Sequence, residues 1–239
     1  MTFLSILWAI AFGICPQRPS HSLFLGGQQM PIEARMAGMF GGFVIGLAYF
    51  AAMGRSRAWR MPGNAMSVIL ISFVALLGVD GLNALFFDLR LPHLYTPNLP
   101  LRLGTGLITG LTFAGFMLPA FNSTVWQAGL DVSPLTNARE LLVGLLLEAA
   151  YYVAAFSGAN ILLYPLSLIA VGGVPILLGM TGSIVVAIVS GRTNRAKHFR
   201  HLIPLVLGGL MLSALMLGVM SGGRYILFGA GPLEMPPIR

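Results

Sequence analysis

Two acids stand where acids are expensive. Asp80 lies inside an apolar run over residues 66–87, and Glu148 lies near the middle of another over 141–156. An acid at mid-membrane costs about 2.5 kcal/mol or more on insertion scales, so it must face protein, water or a partner. Asp80 sits about two turns inside the end of its run, at about 1.5 Å per residue. Arg35 opens the preceding apolar run and Arg102 opens the following one. Asn83 is three residues on from Asp80, on the same helix face, and Asp88 closes that helix. Arg35, Asp80, Asn83, Asp88 and Arg102 can therefore converge in one polar cleft at the outer membrane surface. Its arginines could hold an anion. The same residues could instead form an ion-paired pin that fixes how three helices pack, and the pin carries somewhat more weight.

Glu148 is followed by Tyr151 and Tyr152 at helical spacing. A neutral Glu148 hydrogen-bonded to a tyrosine or a backbone carbonyl is the expectation. A proton relay would need a second acid in register, and none lies there. Cys15, His21 and Glu33 share one loop and are each of a type that binds zinc. Their spacing is irregular, whereas zinc sites show tight patterns, so no metal and no cofactor is expected. With one cysteine, no intramolecular disulfide can form.

The elements that position these residues follow from composition. The chain is 56% hydrophobic and only 9% charged, against about one quarter charged for a soluble domain. The apolar residues gather into long runs that belong in lipid, where a helix satisfies its own backbone. A net charge of +7 would suggest nucleic acid in a soluble protein. Here the basic residues sit in short loops between apolar runs, so nucleic acid is rejected and the bilayer is the partner.

The runs predict an all-α polytopic transmembrane bundle of seven spans: 2–14, 36–53, 66–87, 103–121, 141–156, 161–190 and 202–220. The first is shorter than the roughly 20 residues a span needs, so six spans remain if it does not cross. It is read as a short span rather than a cleaved signal, because no small-x-small cleavage pattern follows it. Pro165 and Pro175 predict a kinked sixth helix rather than two spans. Residues 1–230 read as one transmembrane domain, and 231–239 as an extended tail with three prolines.

Arg55, Arg57 and Arg60 lie between spans two and three; Arg192, Arg195, Lys197 and Arg200 lie between spans six and seven. Both loops are expected in the cytoplasm of a cell-membrane protein, with the N-terminus inside and the C-terminus outside. The segments 15–35 and 88–102 are then external loops. Gly38, Gly42 and Gly46 recur at four-residue spacing in span two, as do Gly106 and Gly110 in span four, which predicts close helix packing.

The outer loop carries a pattern. Cys15-Pro16-Gln17-Arg18-Pro19-Ser20-His21-Ser22, then Pro31-Ile32-Glu33-Ala34-Arg35-Met36-Ala37-Gly38, then Asp80-Gly81 and Arg102-Leu103-Gly104-Thr105-Gly106 follow in order. This resembles an uncharacterised prokaryotic multi-pass membrane family, domain of unknown function two-zero-eight-five, over residues 15–119, leaving 120–230 as additional helices. Family members typically show Cys-His-Gln, Arg-Ser, and Cys-x-Arg-Cys-x-Gly. In this chain Pro16 replaces the histidine, His21 the first arginine, and Glu33 and Met36 the two later cysteines. A metal or redox role implied by the family's cysteines therefore does not transfer. Gln17, Arg35, Asp80 and Arg102 are retained, so a shared role would rest on the polar cleft, and Gln17 joins the candidates.

Three function classes remain. The first is an outer cleft that binds an anionic lipid headgroup or small anion. The second is a scaffold or assembly subunit without a ligand, packed against a membrane-protein partner or a second copy. The third is a membrane enzyme acting on a lipid phosphate, with Asp80 as base. No HExxH, GxSxG, phosphate loop or paired catalytic carboxylates appear, which weakens the third. The first is preferred because two arginines face outward.

Overall fold

A computed structural model describes residues 3–231. Thr2 of the first expected span, and the proline-rich tail after Gly231, lie outside the described residues. Among them are seven α-helices: α1 Phe3–Phe12, α2 Ala34–Ala52, α3 Asn64–Asp88, α4 Leu99–Val125, α5 Ala138–Phe156, α6 Leu163–Val189 and α7 Phe199–Phe228. Five helices, α2, α3, α4, α6 with the 3-10 turn before it, and α7, are long and apolar enough to cross a membrane. The protein is an all-α helical membrane bundle. The ten residues of α1 cover about 15 Å, about half the hydrocarbon thickness. α5 has the length to span, but it carries Arg139, Glu140 and Glu148.

α2 and α4 form the centre. Their glycines oppose one another reciprocally. Gly38 and Gly42 face the carbonyls of Leu103 and Leu107, while Gly106 and Gly110 face those of Arg35 and Met39. A methyl at any of these four positions would press on backbone closer than real Cβ atoms approach. α6 joins this seam where Gly173 meets the Phe40 carbonyl, and a second seam joins α6 to α7 through Gly182 and Gly209. α3 is tied to α4 by two threonine hydroxyls. Thr112 Oγ1 donates to the Leu70 carbonyl at 3.1 Å and Thr109 Oγ1 to that of Phe73 at 3.3 Å. The outer faces of α3 and α7 leave Val68, Ile71, Leu82, Met211, Leu215 and Val219 exposed, as lipid-facing helices should.

The two basic loops lie at one end of the bundle. The Arg57 guanidinium stacks 4.1 Å over the Trp126 ring, and Trp126 bridges to Ala196 in the α6–α7 turn. Arg55 grips Glu140 through two hydrogen bonds of 2.7 and 2.8 Å, and Asn122 Nδ2 donates to the Ser56 and Ala58 carbonyls.

The opposite end departs from the sequence reading. The segment expected as a loop over 15–35 contains a hairpin, β1 Ser22–Leu25 paired antiparallel with β2 Gln28–Glu33. Gly26 and Gly27 make the turn, both at positive φ (57° and 77°), the geometry that a two-residue hairpin turn requires. Leu23, Leu25, Met30 and Ile32 are buried in the same core as α1, α2 and α6, so apolar burial holds the hairpin down. The seventh span was expected to end at 220, but α7 runs on to Phe228 and carries Arg224. That arginine is accommodated because its guanidinium donates to the carbonyls of Phe12, Cys15, Pro16 and Gly231 and stacks over the Phe12 ring. It thereby caps the C-terminal end of α1, whose last carbonyls lack helical partners.

Candidate functional site

The hairpin, the α3–α4 loop over 89–98 and the adjoining ends of α2, α3 and α4 enclose a polar cluster and, beside it, a cavity. The cluster is built on Asp80, which is only 1% exposed and does not line the cavity. Arg35 Nη2 donates to Asp80 Oδ2 at 2.5 Å and to the Asp80 carbonyl at 3.2 Å. The Tyr95 hydroxyl donates to Asp80 Oδ1 at 2.8 Å. Thr105 Oγ1 lies 3.5 Å from Oδ2. Both carboxylate oxygens are thus engaged, a poor arrangement for a general base. Burial, followed by the hydrogen bond to Asp80 and its charge, pushes the Tyr95 phenol up to about 12, so it stays a donor at neutral pH. Asn83 holds the Tyr95 loop in place. Its Oδ1 accepts from the Leu94 and Tyr95 amides at 2.7 and 3.2 Å, and its Nδ2 donates to the Tyr95 carbonyl at 2.8 Å.

A second ion network lies beside the first. Arg18 donates to Glu33 Oε1 through its backbone amide (3.0 Å) and its Nε (3.1 Å), and Nη1 reaches Asp88 Oδ2 at 3.5 Å. Burial would raise the Glu33 carboxyl, but His21 and Arg18 beside it outweigh burial and hold it down at about 2. Gln17 does not face the cleft as a ligand group. With φ of 60°, it turns its amide to the carbonyls of Trp8 and Pro31, each at 3.0 Å. Cys15 is buried, and its Sγ accepts from the Glu33 amide at 3.2 Å. Burial, then the Glu33 charge, pushes its thiol up to about 11, whereas metal binding needs a thiolate. Among the described residues no group of three or more His, Cys, Asp or Glu side chains could hold a metal.

Arg102 differs from Arg18 and Arg35. It is only 5% exposed, yet among the described residues its guanidinium makes no hydrogen bond or ion pair. It is not the partner of Asp80; Arg35 is. Arg102 lines a cavity of about 290 Å³ with Ser20, His21, Asp88 and Asn98. Burying an arginine without a partner is costly, and a group accepting its hydrogen bonds would offset that cost.

Glu148 lies outside this cleft, 2% exposed, at the α2–α4 glycine seam. No tyrosine takes up this carboxyl; neither oxygen has a partner of good hydrogen-bond geometry among the described residues, although the Leu111 backbone lies beside it. The Tyr151 hydroxyl instead donates to the Leu166 carbonyl on α6 at 3.2 Å.

Three residues that position the cleft escaped the sequence reading: Arg18, Tyr95 and Thr105. For Arg18 the signal was available, because Glu33 and Asp88 both needed a cation and Arg18 lies in the same segment as Glu33. Tyr95 and Thr105 carried no such signal.

A family model described as "Predicted membrane protein (DUF2085)" matches residues 15–116, against 15–119 read from the motifs. The match covers the hairpin, α2, α3 and most of α4, and so every cleft residue named above. An uncharacterized protein of Methanocaldococcus jannaschii is 27% identical over 129 residues, covering 52% of this chain and 75% of that protein. No solved structure matches.

Proposed function

We propose that the outer cleft binds an anionic group, either a lipid phosphate headgroup or a small anion, on Arg102. The observation that carries this reading is the difference between arginines: Arg35 is bound to Asp80 and Arg18 to Glu33, while buried Arg102 faces a cavity and its guanidinium pairs with no acceptor among the described residues. Ser20, His21 and Asn98 line the same cavity and can donate to an oxyanion. Asp88 also lines it and would repel an anion on its own side, but its carboxylate leans on Arg18. The experiment is a titration of purified protein with inorganic phosphate and with phosphatidylglycerol, read by thermal unfolding. A charge-assisted contact contributes about 1.5–3 kcal/mol, so Arg102→Gln weakens the ligand that binds by about tenfold or more. Unchanged binding in Arg102→Gln would end the proposal.

A scaffold without a ligand is the second reading, favoured by the sealed Arg35–Asp80–Tyr95 contact. We also place the basic end of the bundle in the cytoplasm of a cell membrane, following the positive-inside rule. The N-terminus is then inside and the C-terminus outside. In a Cys15→Ser background, Thr96→Cys reacts with an impermeant thiol reagent added to sealed cells and Thr193→Cys does not. The reverse pattern would invert the topology.

A further inference from the structure

The end of the bundle opposite the outer cleft carries a second cavity, of about 300 Å³, lined by Arg192, Arg195, Arg200 and His201 above Ala196 and Leu205. We infer that it binds a phosphate group, supplied by an anionic lipid headgroup or by free phosphate.

Three features carry the inference. First, the charge is uncompensated. Apart from Glu148, which lies in the helix seam far along the sequence from this turn, the described acids are each paired: Glu33 and Asp88 with Arg18, Asp80 with Arg35, Glu140 with Arg55 and Asp131 with Arg60. Among the described residues, Arg192, Arg195 and Arg200 form no ion pair with any of them. Second, the backbone that presents these arginines is fixed. The Asn194 amide donates to the Thr124 carbonyl at 2.8 Å, the Ala196 amide to that of Val125 at 3.1 Å, and the Gln127 amide to that of Ala196 at 3.0 Å. The α6–α7 turn is thereby pinned to the end of α4, so less ordering is needed on binding. Third, the floor is apolar, with Ala196 and Leu205 buried, while the rim is basic. The Lys197 amide donates to His201 Nδ1 at 3.3 Å, which leaves the neutral ring's proton on Nε2 as a further donor. A basic pocket between helices near the membrane surface suits a phosphate headgroup, and guanidinium groups match its oxygens.

The test uses the full chain in detergent micelles on an Arg102→Gln background, so that the outer cleft does not contribute, and is repeated with native Arg102. Dioleoylphosphatidylglycerol, dioleoylphosphatidylcholine and inorganic phosphate are each titrated while thermal unfolding is followed. Arg195→Gln and Arg200→Gln are compared with Arg139→Gln, which removes the same charge from an exposed site on α5, outside the cavity. We expect phosphatidylglycerol to stabilise the protein where phosphatidylcholine does not. Its apparent affinity should fall about tenfold in either cavity variant and stay nearly unchanged in Arg139→Gln. Stabilisation by inorganic phosphate with the same variant pattern, and none by phosphatidylglycerol, assigns the site to free phosphate. An equal loss in Arg139→Gln, or no response to either probe, overturns the inference. The basic loop would then act only through its overall charge.

Discussion

Replacing Asp80 with asparagine destabilises the detergent-solubilised protein by about 3–5 kcal/mol, and adding Arg35→Gln returns part of that loss. The asymmetry is one of burial. Asp80 is almost wholly enclosed, and Arg35 Nη2 lies 2.5 Å from its Oδ2. Removing the carboxylate alone leaves a guanidinium facing a protein wall without its counter-charge, and leaves the Tyr95 hydroxyl with a weaker acceptor. Removing both charges leaves neither stranded. Arg102→Gln added to Asp80→Asn returns nothing, because Arg102 does not touch Asp80. A thermal-unfolding cycle over the four combinations of Asp80→Asn and Arg35→Gln reads the coupling directly. Purely additive losses would mean that the pair carries no interaction energy.

The second large effect lies in the glycine seam. Gly110→Leu forces α4 away from α2, because the Met39 carbonyl and the Phe43 amide stand where the new side chain would begin. Ordinary overpacking costs about 1–3 kcal/mol. Here the obstruction is backbone on both sides and cannot rotate away, so the cost exceeds that range and monodisperse protein is lost. Gly78→Leu is the matched control, since a side chain at Gly78 meets nothing within 4 Å. Size-exclusion profiles and thermal midpoints separate the two. If Gly110→Leu behaves like Gly78→Leu, the seam does not hold the helices together.

The seam was legible because four-residue glycine spacing is a periodicity, and periodicity survives without tertiary information. Its counterpart between α6 and α7 was not, because Gly182 and Gly209 stand opposite one another without a shared spacing. The burial of Asp80 and its need for an arginine could be read from its depth in an apolar run. Which arginine served could not, since Arg35 and Arg102 each open a neighbouring helix at similar depth; only the path of the side chains decides. The hairpin had a local signal in Gly26-Gly27, but the polar residues Gln28 and Gln29 that follow the turn break the apolar alternation that would mark a strand. Arg224 fell beyond the expected end of the last span because Ser221-Gly222-Gly223 interrupts the apolar run. Three of its four partners are carbonyls more than two hundred residues away in sequence, and carbonyls leave no mark in a sequence. Glu148 defeated the local argument for a related reason: a tyrosine three residues on shares its face, but a carbonyl of α6 takes the hydroxyl.

On the proposed reading the arginines differ in task, Arg35 holding the fold and Arg102 left for a ligand. Arg35→Gln and Arg102→Gln should therefore be unfolded side by side, each with and without the anion that stabilises the native protein. The account predicts that Arg35→Gln lowers intrinsic stability while keeping the ligand-induced rise. Arg102→Gln should keep intrinsic stability and lose that rise. The opposite assignment, or an equal loss of both properties in both variants, would contradict it.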